Sequence, residues 1–425
     1  MSISNEERIS LSFSDTFQDH ERVHDIFTRM RLEEPVAWCP EPWGGPGFWS
    51  VTKYDDIQFV SKNPSSFSSD QKLGGITLAS NEMIRTRRRQ EGQEVLEETP
   101  PELSMFEGGS SMISLDPPEH LHHRRVVAPG FTPQKLDNLL PRIRQKAKEI
   151  LNSIDGETQV EFISAVAAEL PIQMLAELFD IDQEQRHKLF EWSNIIIGGD
   201  DPDIVVSGDQ VRGAFMELAA FAMKTYEERK KDPGDDLITM LVHAEINGEP
   251  MTLGDYLSAM ILLVVAGNET TRNSISGGLL ALSQFPDEKQ KLLDDPSLIP
   301  KAVDEIIRWV HPVIYMRRTA TEDAKIGEQE IKAGDKLALW YMSGNRDEDK
   351  WEDPFTFNVS REGPRHLSFG YGQHMCIGWR LAEMQLAVLL EEMLIRFPEI
   401  KVTGGVNRMR TNFLNSIKTM QVSLV

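Results

Sequence analysis

Apolar residues recur at three- and four-residue spacings over 133–153, 159–180, 208–231, 252–285, 299–309 and 379–396. That is the period of helices with one buried face. Extended patterns are few: 50–60 predicts a strand followed by a helix, and Ile331–Met342 predicts a strand that ends at the turn Ser343-Gly-Asn-Arg-Asp347. The fold class is therefore mainly α. No fixed-period repeat breaks the chain, and Pro and Gly are scattered rather than gathered into a linker, so residues 1–425 are expected to form one domain. Two stretches escape the periodicity. Residues 70–113 carry Gly74-Gly75, the basic run Arg85–Arg89, acidic residues at 94–98, Pro100-Pro101 and Gly108-Gly109, as a solvated insertion or a lid over a site would. The stretch from Gly198 to Ile204 separates two helices and carries the same ambiguity.

Composition narrows the function. A net charge of −22 over 425 residues argues against nucleic acid or an anionic membrane surface as the main partner. With 40% hydrophobic residues, including 8 Trp and 19 Phe, the chain can bury a sizeable core. Only Cys39 and Cys376 are present, which excludes a disulfide framework or a cysteine-rich zinc site. No signal-peptide profile and no apolar run long enough to span a membrane are seen, so a cytoplasmic protein is expected.

The chemistry concentrates in Phe369-Gly-Tyr-Gly-Gln-His-Met-Cys-Ile-Gly378. Glycines let backbone approach a flat ligand closely. A thiol just ahead of a helix start has its thiolate stabilised by backbone N–H groups and the helix dipole, which an anionic metal ligand needs. The segment resembles the heme-binding loop of the cytochrome P450 family, Phe-Gly-x-Gly-x-His-x-Cys-x-Gly, at every fixed position. The resemblance implies that Cys376 is the iron ligand of heme b, that His374 meets a heme propionate, and that Phe369 and Gly370 bind the cofactor.

Four further segments resemble the same family. Ala266-Gly-Asn-Glu-Thr-Thr271 interrupts an apolar helix that opens with the capping-box-like Thr252-Leu-Gly-Asp255, and its hydroxyls and glycine predict a local kink or bulge. By resemblance Thr270 is the alcohol and Glu269 the acid that relay protons on the oxygen-binding face of heme. Asp304-Glu-Ile-Ile-Arg308, with Asp353-Pro354, Phe357 and Arg361 downstream, is similar to the family's buried Glu–Arg–Arg network. Ser114-Leu-Asp-Pro-Pro-Glu-His-Leu-His-His-Arg-Arg125 and Met316-Arg-Arg-Thr-Ala320 resemble the propionate-binding segments, which implies that role for His120, Arg124 and Arg318.

The implied fold is a triangular helical prism with a small β lobe. The implied activity is a heme-thiolate monooxygenase that hydroxylates a hydrophobic small molecule with O2 and electrons from a ferredoxin and its NAD(P)H-linked reductase. Arg125 and Arg380 are candidates for the docking face. By family position Val264, Val265, Ala266, Val313, Ile314, Phe413 and Leu414 would line the substrate pocket. The motif wording is most similar to bacterial alkane and fatty-acid hydroxylases, and the Arg410-Thr-Asn-Phe413 segment to terpene and sterol hydroxylases. The alternatives are a peroxide-driven peroxygenase, a heme-thiolate sensor that binds without turnover, and a helical scaffold with no cofactor.

Overall fold

A computed structural model describes residues 2–42, 45–78, 111–199, 201–205 and 207–425. Most of the 70–113 stretch, including Arg85–Arg89 and Gly108-Gly109, lies outside the described residues. The helices in chain order are α1 (Asn5–Ser10), α2 (His20–Glu33), α3 (Tyr54–Lys62), α4 (Glu119–Val127), α5 (Pro133–Ser153), α6 (Glu169–Phe179) and α7 (Arg186–Ile197). They continue with α8 (Gly208–Lys231), α9 (Leu237–Val242), α10 (Leu253–Gln284), α11 (Pro286–Asp294), α12 (Ile299–Val310), α13 (Tyr341–Gly344) and α14 (Trp379–Arg396). Thr252 caps α10: its hydroxyl accepts from the Asp255 N–H at 3.1 Å, leaving fewer orphan donors at the first turn.

The 32-residue α10 runs through the middle of the molecule. Its Ile275, Leu279 and Leu282 pack with Val303, Ile306 and Ile307 of α12, with Leu386, Leu389 and Met393 of α14, and with Ile143 and Ile150 of α5 in one apolar core. Gly278 lets α10 and α12 approach closely, since a Cβ there would stand 2.8 Å from Ile306. α10 stays α-helical across 266–271, where the sequence predicts a kink or bulge. The Thr270 and Ser274 hydroxyls bond back to the carbonyls of Ala266 and Thr270, so they spend their competing hydrogen bonds within the ladder.

The β lobe is a five-stranded sheet in the order β1 (Val36–Cys39), β2 (Phe48–Val51), β10 (Lys336–Trp340), β7 (Tyr315–Ala320) and β3 (Phe67–Ser68). Only β2 and β10 run parallel, in the register Leu337 to Trp49. A second sheet joins β11 (Lys401–Arg408), β12 (Ile417–Ser423) and β4 (Gln159–Glu161), and two hairpins pair β5 (Glu245–Ile246) with β6 (Glu249–Pro250) and β8 (Ala324–Ile326) with β9 (Gln329–Ile331). β4 corrects the expected helix over 159–180. Val160 pairs with Val422, a partner far away in sequence, and a π-helical turn at Ile163–Ala167 leads into α6. Among the described residues no helix is long and apolar enough to cross a membrane.

The glutamate and arginines singled out in sequence meet in the core. Arg308 donates to both carboxylate oxygens of Glu305 at 2.6 and 2.8 Å, and Arg361 reaches the same carboxylate at 3.1 Å. Elsewhere His20, His24 and His311 form a triangle, with ring centroids 6.4, 5.9 and 6.3 Å apart. Burial pushes the His20 imidazole down to about 3, helped by Arg408 and Arg346, and it pushes His24 and His311 well below their ordinary value.

A folded-state depression of this kind leaves stability whole above the unfolded value of about 6.5 and removes it as pH falls from there toward the folded values. The loss is on the order of 1 kcal/mol per histidine between pH 6.5 and 5.5. Urea unfolding followed by circular dichroism at the two pH values should show it, and His24→Phe should flatten the slope. An equal slope in that variant would remove the cluster as its cause.

Candidate functional site

The segment after α12 and β10 turns back toward α10 and presents the cysteine loop to a cavity of about 240 Å³. The loop is held by its own backbone. Gly370 donates to Leu367 at 2.7 Å, Met375 to Gly372 at 3.2 Å, and Cys376 to Phe369 at 2.8 Å. Gly370 and Gly372 take φ of 71° and 70°, the left-handed region that L side chains disfavour. Cys376 opens on the cavity two residues before Gly378, the N-cap of α14. Burial holds its thiol above the ordinary value, although the Gly378 N–H on the sulfur and the charges of Arg124 and Arg365 pull it down. Those three groups are ones that would stabilise a thiolate once a metal replaced its proton.

The facing wall is one side of α10: Leu263, Ala266, Gly267, Thr270, Thr271 and Ser274. A Cβ built at Gly267 would meet nothing within 4 Å, so the helix presents bare backbone to open space opposite the sulfur. At the rim stand His120 and Arg124 of α4, Arg318 of β7 and His374 of the loop. The two imidazoles are 4.2 Å apart, centroid to centroid. Burial, then Arg124, pushes His120 down to about 4; burial, then Arg318, pushes His374 down to about 2.

Among the described residues neither Arg124 nor Arg318 is in an ion pair, the Asp116 charge reaching Arg318 and His120 only from a distance, and His120 Nδ1 and His374 Nε2 have no hydrogen-bond partner. A ring of donors and positive charge without an anion is costly in a low-dielectric site. A thiol, a flat apolar gap and this rim fit an iron porphyrin with two carboxylates.

The structure brings most of the sequence candidates to this cavity: Cys376, His374, Phe369 and Gly370, then His120, Arg124 and Arg318, then Thr270, Ala266 and Val313. Others lie elsewhere. With about 100° between neighbouring helical residues, Thr270 on the cavity side turns Glu269 away. Glu269 is fully buried behind α10 and ion-paired with Arg272. The same period places Leu263, not Val264 or Val265, on the face of Thr270, and Val264 is fully buried in the core beneath.

Within β7 sides alternate, so Met316 and Arg318 share the cavity side. Val313 faces the cavity while Ile314 enters the β-lobe core with Tyr315, against which Phe413 packs. Leu414 pairs with Val313 by a backbone bridge and is itself buried outside the lining. Residues missed in sequence include Ile76, Ile113, Met316 and Gln385. Counting helical turns from Thr270 would have found Leu263, Gly267 and Ser274; nothing local marks Ile76, which reaches the cavity because its carbonyl accepts from the Arg317 N–H at 2.8 Å.

Comparison with known proteins agrees with this geometry. The family described as cytochrome P450 matches residues 168–424. Linalool 8-monooxygenase of Pseudomonas putida is 41% identical over 403 residues, 95% of each chain. A methyl-branched lipid omega-hydroxylase of Mycobacterium tuberculosis is 36% identical, over 93% of this chain and 90% of that one. Among solved structures, cytochrome P450-153 from Novosphingobium aromaticivorans superposes with a TM-score of 0.84 at 35% identity, covering 98% of this chain and 99% of that one. A Mycobacterium marinum cytochrome P450 in complex with pseudoionone gives 0.87 at 32% identity, covering 98% of both.

The loop geometry predicts one outcome directly. A Cβ on Gly372 would run into the Ser61 carbonyl oxygen in a backbone conformation alanine disfavours, so Gly372→Ala should cost roughly 1–3 kcal/mol. Thermal denaturation should show the lower midpoint together with faster cofactor loss. A variant as stable and as well loaded as the parent would contradict the account of the loop.

Proposed function

The chain belongs to the cytochrome P450 family and is a heme monooxygenase, and from that premise we propose that it hydroxylates a terpenoid or methyl-branched lipid chain with electrons from a ferredoxin. The observation that carries the reading is the pairing of Cys376 with Thr270 across a cavity whose other walls are mostly aliphatic. Leu263, Ile113, Val313 and Met316 offer dispersion contact and few hydrogen bonds, which suits a hydrocarbon substrate oriented by shape. The names of the relatives, linalool 8-monooxygenase and methyl-branched lipid omega-hydroxylase, favour this class over unbranched alkanes.

Roles follow from position. Cys376 would hold the heme iron through its sulfur, with the Gly378 N–H moderating the charge on that atom. His120, Arg124, His374 and Arg318 would hold the two propionates by charge-assisted hydrogen bonds, supplying the anions their ring lacks. When bound, heme would supply the O2-activating redox chemistry that no side chain here provides. This chain's own part is to exclude water with the aliphatic walls, hold the substrate, and hold a proton on the Thr270 hydroxyl, which now donates to the Ala266 carbonyl at 2.8 Å.

The ferredoxin would dock where the cysteine loop lies nearest solvent. Arg125 and Arg365 are exposed beside it; Arg380 is half engaged by Asp137 at 3.2 Å. In a chain of charge −22 this local positive group would orient an acidic partner.

Reconstitution with a ferredoxin, its reductase and NAD(P)H should convert linalool or a methyl-branched fatty acid into an alcohol with O2 consumed. Turnover driven by peroxide but never by electrons and O2 would move the protein to the peroxygenases. Thr270→Ala should keep heme but lower product formed per NAD(P)H by about tenfold or more, with peroxide appearing in its place. Unchanged coupling in that variant would remove Thr270 from the proton path.

A further inference from the structure

The two faces of β7 do different work. Met316 and Arg318 turn to the cavity. Tyr315, Arg317 and Thr319 lie on the opposite side of the strand, at most 6% exposed, and all three hold the segment 73–78. The Arg317 N–H donates to the Ile76 carbonyl at 2.8 Å, and the Tyr315 hydroxyl accepts from the Leu78 N–H at 2.9 Å. The Arg317 guanidinium reaches along the rest of the segment. Its Nη2 donates to the Leu73 carbonyl at 2.7 Å, and its Nη1 to the carbonyls of Gly74 at 3.1 Å and Thr77 at 3.3 Å. The Thr319 hydroxyl accepts from Nη2 at 3.1 Å and donates to Leu73 at 3.0 Å.

The residue types suit this contact. The helical turn Gln71–Leu73 ends at Gly74 with φ of 104°, and Gly75 follows at 68°, a left-handed pair that leaves several carbonyls of one turn unbonded within the turn. A planar, permanently charged fork can bond them together. A side chain on Gly74 would occupy the space of the guanidinium itself. The nearby carboxylate of Glu41 is taken by Lys336, so the carbonyls of 73–77 are what the guanidinium bonds. The Gly74-Gly75 pair, which neither heme binding nor the cysteine loop uses, thus makes room for Arg317.

The consequence lies in the cavity. Ile76 sits between the held residues and lines the same wall as Met316, Val313 and Ile113. An aliphatic side chain on an irregular segment moves with its backbone. Tied to β7 at 73, 74, 76, 77 and 78, this one is placed by the strand.

We propose that Arg317 is a positioning residue for substrate selection: by fastening the 73–78 segment to β7 it makes Ile76 a fixed wall against which a hydrophobic substrate is seated. One strand then sets two walls, Met316 directly and Ile76 through Arg317. This rests on the hydroxylase reading above and deepens it, since a substrate with few polar groups is oriented by the shape of the walls. A wall free to retreat admits more orientations of the chain and spreads hydroxylation over more carbons.

The test uses the heme-loaded enzyme and the variants Arg317→Met, Arg317→Lys, Ile76→Ala and the double variant Arg317→Met/Ile76→Ala, compared at equal heme content. N-Methylimidazole and N-octylimidazole bind heme iron whatever the natural substrate is, and the shift in the heme absorption band gives both dissociation constants. The ratio of the two reports the walls, because only the octyl tail reaches them. Arg317→Met should change that ratio by about threefold or more, in the same direction as Ile76→Ala, and Arg317→Lys should restore part of the change. The double variant should match Ile76→Ala alone. With linalool, Arg317→Met should raise KM more than it lowers kcat and should yield alcohols at more than one carbon. Should Arg317→Met fail to fold, Thr319→Val and Gly74→Ala disturb the same contact singly and should move the ratio the same way.

A ratio unmoved in Arg317→Met or in Ile76→Ala, or changes that add in the double variant, would overturn the proposal. Failure of the substrate reading looks different: no alcohol from linalool with any variant, while the imidazole ratio still decides the role of Arg317.

Discussion

One carboxylate, that of Glu305, organises the route by which the sulfur of Cys376 is presented. Glu305 holds Arg308 and Arg361 together in the core, and the two arginines then collect carbonyls from the following loops: Asn345 and Pro354 by Arg308, Asp353 and Thr356 by Arg361. Asn345 carries the constraint onward. Its side chain accepts from the Leu367 N–H at 2.7 Å and donates to Ser368 at 2.8 Å. Leu367 accepts from Gly370, and Phe369 accepts from Cys376. A chain of direct hydrogen bonds thus runs from the buried ions to the cysteine loop. Removing one partner of such a network strands the others as uncompensated charges, at about 3–5 kcal/mol, and would loosen the sulfur as well as the core.

The site is built from opposites that need one another. The loop supplies a thiol among donors, and α4, β7 and His374 supply a rim of donors and cations with no carboxylate ion-paired to it among the described residues. Heme would join the two sets, with iron for the sulfur and propionates for the rim. The far wall is helical backbone left bare at Gly267 and a hydroxyl at Thr270. The cysteine side is held by backbone hydrogen bonds and buried ions. On the side of α7 and the 409–418 segment, contacts are polar and partly unsatisfied among the described residues.

Much of this was legible in residue order because rare residue types stood at fixed spacing. A lone cysteine among three glycines, a Glu-x-x-Arg on an apolar helix and a His four residues before an Arg each predicted a place that the fold then brings to one region. Long amphipathic helices such as Pro133–Ser153, Gly208–Lys231 and Trp379–Arg396 were equally plain. What could not be read depended on partners distant in the chain. Gln159–Glu161 has helical spacing but becomes a strand because β12 offers an edge to pair with. The orientation of Ile314 and Phe413 is decided by the β-lobe core around Tyr315 and Trp340. Glu269 and Val264 were legible in principle, since the phase of a straight helix excludes both from the face of Thr270. The expectation of a kink concealed that phase.

The central claim is that Cys376 is an anionic ligand to heme iron. The most direct test is the absorption spectrum of the purified, dithionite-reduced protein under carbon monoxide. The account predicts the strongly red-shifted Soret band of a thiolate-ligated carbonyl complex, lost in Cys376→Ala. A colourless protein, or the shorter-wavelength band of a histidine-ligated carbonyl in the parent protein, would contradict it.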